Sequence, residues 1–162
     1  MSAKKTAFYG MFLALALVAG YIEQLIPVNL GVPGVKLGLA NIVTMLLLYI
    51  AGVPAACLIS ALRILLSGFP MVYSAAGAAM SMLVMAFLKK TKKFSSVGVS
   101  VAGGIFHNVG QIIVAMLVLE TKALAYYLPI LILSGLAAGI LIGILSGILT
   151  KRLNPIIKQH FV

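Results

Sequence analysis

The chain has 162 residues, of which 63% are hydrophobic and only 9% charged, a composition outside the range of soluble folds. Its net charge of +10 does not point to nucleic acid, because the basic residues form short clusters between apolar runs rather than a face or an arm. A spanning helix needs roughly 20 mostly apolar residues, so the length suits one all-α, polytopic bundle, a single transmembrane domain over residues 1–162.

The first expected span covers residues 6–26 and stops at Pro27, where a helix loses a backbone donor. Lys4 and Lys5 ahead of it imitate a secretory leader, but the run is long and other spans follow, so it reads as a retained helix. A structured loop over 27–38, rich in Gly and Pro, leads into a short second span at 39–50, and Gly52 with Pro54 turns the chain into the third at 54–67. The fourth span covers 73–88, the fifth 97–119 and the sixth 126–149. The second and third are short for a hydrocarbon core about 30 Å thick.

Charge sets the expected orientation. With six spans and a cytoplasmic start, nine of the twelve Lys and Arg fall on the inner side: Lys4, Lys5, Lys89, Lys90, Lys92, Lys93, Lys151, Arg152 and Lys158. Only Lys36 and Lys122 fall outside, and Arg63 lies within a span. The positive-inside rule therefore favours six transmembrane helices with both termini cytoplasmic.

Two stripes of small residues stand out. Ala3, Ala7, Gly10 and Ala14 share one face of the first helix, and Gly135, Gly139, Gly143 and Gly147 form a four-residue ladder on the sixth. Such stripes let helices approach closely in lipid. They serve either internal packing or docking of another membrane subunit, and the spacing is the same for both.

Hydrogen-bonding side chains in hydrocarbon are costly and face the protein interior. The topology brings Glu23, Asn41 and Arg63 to similar depth in the outer half of the bundle. His107, Asn108 and Gln111 sit mid-way along the fifth span, with His107 and Gln111 on one face at i, i+4. This trio serves as a ligand-binding group or as a structural polar network. Arg63 is paired with Glu23 or presents its guanidinium to an anionic ligand. Lys36, in the Gly-rich loop, is a second cation over that site or a solvated loop lysine.

Much chemistry is excluded. There are two acidic residues, Glu23 and Glu120, and no aspartate, which argues against a carboxylate-bound magnesium ion or a carboxylate acid–base pair. The lone Cys57 makes no intramolecular disulfide. No metal cluster, phosphate loop or nucleophile elbow is present. The expectation is a protein that is not an enzyme, holds no cofactor or metal, and relies on a partner for any ATP hydrolysis.

The small-residue stripe, Val35-Lys36-Leu37-Gly38-Leu39-Ala40-Asn41-Ile42, Arg63-Ile64-Leu65-Leu66-Ser67-Gly68 and His107-Asn108-Val109-Gly110-Gln111 occur in order over nearly the whole chain. Together they resemble the Gx transporter family, also labelled heptaprenyl diphosphate synthase component I. That family looks like a branch of the substrate-binding S components of energy-coupling factor (ECF) transporters. The resemblance implies a six-helix S component in a bacterial cell membrane that takes a vitamin-like small-molecule substrate from outside, beneath the loop joining its first two helices. A transmembrane coupling subunit and two ATPase subunits would drive release inward. Arg63, Asn41, His107, Asn108 and Gln111 would line the pocket, with Lys36 on the lid and Glu23 at the edge. Ala3, Ala7, Gly10 and Ala14 would form the coupling contact, although Gly10 interrupts the family's alanine pattern. Candidate substrates are a flavin, a quinone or an isoprenoid precursor. The alternative is a non-transporting membrane scaffold for extracellular electron transfer or prenyl-lipid synthesis. The synthase label sits poorly with a chain that has no aspartate, since prenyl chain extension uses aspartate-bound magnesium.

Overall fold

The computed structural model describes residues 3–25, 39–66 and 71–161. Among them are six α-helices and no strand: α1 (Ala3–Leu25), α2 (Leu39–Ile50), α3 (Val53–Leu66), α4 (Met71–Thr91), α5 (Ser96–Val118) and α6 (Leu128–Phe161), with a 3-10 segment, Lys122–Tyr127, leading into α6. Four stretches, Ala3–Glu23, Val72–Thr91, Ser96–Val118 and Lys122–Ile157, are long and apolar enough to cross a membrane. The other two helices are apolar but shorter. The expected spans thus separate into four of crossing length and two short ones.

Helix α2 lies at the centre. Residues 43–48 are all buried, as expected of a helix that is apolar on every side, and α1, α3 and α6 pack around it. Phe8, Phe12 and Ala16, spaced by one helical turn, press α1 into the same core, which also holds Met45, Ile59, Met82, Met85, Val99 and Ile142. The opposite face of α1 carries Ala3, Ala7, Gly10 and Ala14, all exposed.

Local chemistry ends the helices where the fold needs turns. The amides of Ala51 and Gly52 both donate to the Leu47 carbonyl, at 2.8 and 3.0 Å. Gly52 has φ +90°, a left-handed conformation that glycine adopts without steric cost. Lys92 and Glu120 take positive φ just after α4 and α5. Ser95 caps α5, its hydroxyl accepting from the Gly98 amide at 3.2 Å.

The chain's direction brings the end of α2 beside the end of α4. The Lys89 ammonium donates to the Leu48 carbonyl and lies 5.3 Å from the Tyr49 ring centroid. A cation is favoured there by the negative end of the α2 dipole and by the aromatic face. Lys4 and Lys5 open α1 and Lys92 and Lys93 precede α5, so the alternation of helices gives the bundle one basic end.

The glycine ladder of α6 is an internal seam. A Cβ on Gly139 would lie 2.6 Å from the Val101 Cα, and one on Gly143 would lie 2.6 Å from the Val97 Cα. The α5 and α6 backbones are therefore in direct contact, and Ser96 donates across the seam to the Gly143 carbonyl at 3.4 Å. Close packing of small residues and polar cross-links are the means by which helices associate in hydrocarbon. Helix α6 also runs well past the expected stop at residue 149, with Pro155 inside it. Its last turns stay helical because Leu153 and Ile157 pack on the common core.

Candidate functional site

Five helices converge on one cavity inside the bundle, whose lining reaches Met85, one turn from Lys89 at the basic end. Its walls come from α2, α3, α4, α5 and one residue of α6. The free space is about 410 Å³ and includes the open mouth. Helical rise orders its walls into three levels. Ser100 and His107 are seven residues apart on α5, which corresponds to about 10 Å of depth.

The level farthest from the basic end is formed by Asn41, Arg63, Ala78 and His107. Below it lie the hydroxyls of Thr44, Ser60 and Ser81 beside Met82, and the floor is Met45, Met85, Ser100 and Ile142. Thr44 and Ser60 share a hydrogen bond across α2 and α3 at 3.2 Å. Five polar side chains are buried among the described residues, and four of them, Thr44, Ser60, Ser81 and Ser100, line this cavity. Buried hydroxyls concentrated at one place mark a polar interior within an otherwise apolar bundle.

Arg63 is the centre of the electrostatics. It stands in the last turn of α3, and its Nε is buried with no hydrogen-bond partner among the described residues. Glu23, in the last turns of α1, is close enough for its charge to act on the guanidinium. No carboxylate lines the cavity itself. A half-buried guanidinium whose Nε–H is buried and unused favours an oxyanion beside it.

The other expected site residues separate. Asn108 is turned away from the cavity: its amide donates to the Leu131 carbonyl at 2.6 Å and to the Ser134 hydroxyl at 3.3 Å, both on α6. Adjacent residues on a helix point about 100° apart, so His107 and Asn108 serve different neighbours. Gln111 packs its stem against α4, where a Cβ on Gly77 would meet its Cγ at 2.8 Å, one turn beyond His107 and off the cavity wall. Lys36 and its loop lie outside the described residues.

The sequence reading did not single out Thr44, Ser60, Ser81 and Ser100, or the methionines of the floor. A signal was present: Thr44 is three residues after Asn41, Ser60 three before Arg63 and Ser100 seven before His107, spacings that share a helix face.

The small-residue stripe of α1 faces outward. A Cβ on Gly10 would meet nothing within 4 Å, and Met11, Leu15 and Val18 beside it are 46%, 50% and 55% exposed.

The fold and the cavity define a helical bundle of the membrane type with a polar interior site. The chain belongs to the family described as heptaprenyl diphosphate synthase component I, whose model matches residues 12–149. No curated protein and no solved structure matches it.

Proposed function

We propose that this protein is a substrate-binding membrane subunit, an S component of an ECF-type uptake system, that captures a small anionic molecule. The observation that carries this reading is the buried Arg63 Nε, without a partner among the described residues, facing a cavity that Asn41 and His107 also line. In a medium of low dielectric such a group is stabilised by an anion that accepts its hydrogen bond. Lys4, Lys5, Lys89, Lys92 and Lys93 lie at the opposite end of the bundle, which by the positive-inside rule supports an orientation with Arg63 and Asn41 toward the exterior and the termini in the cytoplasm. Uptake then needs a transmembrane coupling subunit and ATPase subunits, and the exposed Ala3, Ala7, Gly10 and Ala14 face offers a close-approach surface for the former.

The family's description supports a second reading, a membrane scaffold in a prenyl diphosphate synthase complex. The chain has no aspartate, so magnesium-dependent diphosphate chemistry would belong to a partner. The satisfied cross-link of Asn108 to α6 suits such a structural role.

Purification from native membranes followed by mass spectrometry of bound small molecules and subunits separates the two. Capture predicts an anionic compound that is lost in Arg63→Ala and in His107→Ala, together with ATPase subunits. Co-purification with a synthase alone, unchanged by either substitution, would overturn capture.

A further inference from the structure

A cluster of cations at the basic end takes no part in the cavity. The Thr91 hydroxyl ends α4 by donating to the Leu88 carbonyl at 2.7 Å. Lys92, at φ 57°, then turns the chain, and Lys92, Lys93 and Phe94 stand exposed ahead of α5. The seam between α5 and α6 brings a second pair of cations to this turn. The two helices run antiparallel, and a Cβ on Gly147 would lie 2.8 Å from the Ser96 hydroxyl. Lys151, one turn beyond Gly147 on the same face, is therefore level with residues 92–95, and Arg152 follows it, both exposed.

No acidic side chain compensates them. The sequence has only Glu23 and Glu120, and α1 and α5 both start at the basic end, so these two residues lie near or past the far ends of those helices. An oily wall adjoins the cations: Leu145 and Ile148 are exposed on α6, seven and four residues before Arg152 and so on its face. An acidic protein segment would match the charge alone, whereas a phospholipid matches charge and wall together. Independently of the capture reading, we infer that the α4–α5 turn and the adjoining stretch of α6 bind an anionic phospholipid. Its phosphodiester sits among Lys92, Lys93, Lys151 and Arg152, and an acyl chain follows Ile148 and Leu145.

The test is native mass spectrometry of the full chain released from micelles that hold phosphatidylglycerol and phosphatidylcholine in equal amounts and of equal acyl length. Phosphatidylglycerol should be retained in clear preference. Lys92→Gln with Lys93→Gln, and separately Lys151→Gln with Arg152→Gln, should each cut that preference about fivefold or more, since one cation near an anionic surface contributes about that factor. These side chains are exposed, so the unfolding midpoint should not move and the loss is one of binding. Lys4→Gln with Lys5→Gln removes the same charge from the same end, on a helix that packs against α2 and α3 rather than α5, and should leave the preference unchanged. The inference is overturned if phosphatidylglycerol is not preferred, or if the Lys4 and Lys5 pair costs as much as the other two, which would make the preference a diffuse field rather than a site. Displacement of the lipid by millimolar inorganic phosphate would show a site for the phosphate group alone and overturn the lipid assignment. So would polyglutamate binding that needs the four cations while neither lipid is preferred, which assigns the patch to an acidic protein partner.

Discussion

Gly104 and Gly135 bring the backbones of α5 and α6 into contact: a Cβ on Gly104 would lie 2.5 Å from the Gly135 carbonyl oxygen. Because the obstacle is backbone, it cannot swing aside as a flexible side chain would. Gly135→Ala should therefore destabilise the bundle by about 1–3 kcal/mol, measured as a lower midpoint of thermal unfolding in detergent. Gly10→Ala is the contrasting case. Its Cβ would meet nothing within 4 Å, and alanine is the better helix former by about 1 kcal/mol, so the isolated protein should be unchanged or slightly more stable.

Asn108→Ala removes both donations to α6. Polar cross-links between membrane helices contribute about 0.6 kcal/mol on average and up to about 1.7, so a loss of that size is expected in unfolding experiments. Retention of bound ligand by the folded fraction should not change. A large effect on ligand with none on stability would reassign Asn108 to the cavity.

Arg63→Ala should weaken binding of an anionic ligand by about tenfold or more, the range for hydrogen bonds to charged groups. Arg63→Lys should recover only part, since an ammonium lacks the planar paired donors. Glu23→Gln gives the opposite sign. Removing the carboxylate that acts on Arg63 frees more of its field for the ligand, so affinity should rise. Equilibrium binding in nanodiscs reads all three, and a fall in affinity for Glu23→Gln would show that the carboxylate supports the ligand rather than competing with it.

Lys89→Met keeps most of the side chain's apolar stem but removes its donation to the Leu48 carbonyl and its contact with the Tyr49 ring. The cost should be about 0.5–1.5 kcal/mol, read by denaturant unfolding. Lys89→Arg, which keeps a cation at the end of α2, should restore most of it.

Much of this architecture was readable from the residues. The expected second span, 39–50, coincides with Leu39–Ile50 because Gly38 on one side and Gly52 with Pro54 on the other bracket an uninterrupted apolar run. Arg63, Asn41 and His107 were identifiable as interior groups because hydrocarbon penalises them anywhere else. The partner of each polar residue was not readable. Asn108 lies beside His107 in sequence but is directed at α6, and only the rotation between neighbouring positions, combined with knowledge of which helix lies where, separates them. The glycine ladder on α6 and the alanine stripe on α1 carry similar spacings, yet one is closed by α5 and the other is open. Spacing reports that close approach is possible and does not name the neighbour. The end of α6 was mistaken for a different reason: Lys151, Arg152 and Pro155 are local stop signals, and burial of Ile157 overrides them.

That burial changes how the end of the chain should be handled. Ile157, 5% exposed, shares a cluster with Phe8 from the first helix and with Met45 on the cavity floor. A deletion after residue 150 would shorten the last crossing segment, Lys122–Ile157, and open a hole in the shared interior. The charged tail is thus a keystone rather than a trailing appendage, and an affinity tag should be separated from Phe161 by a spacer.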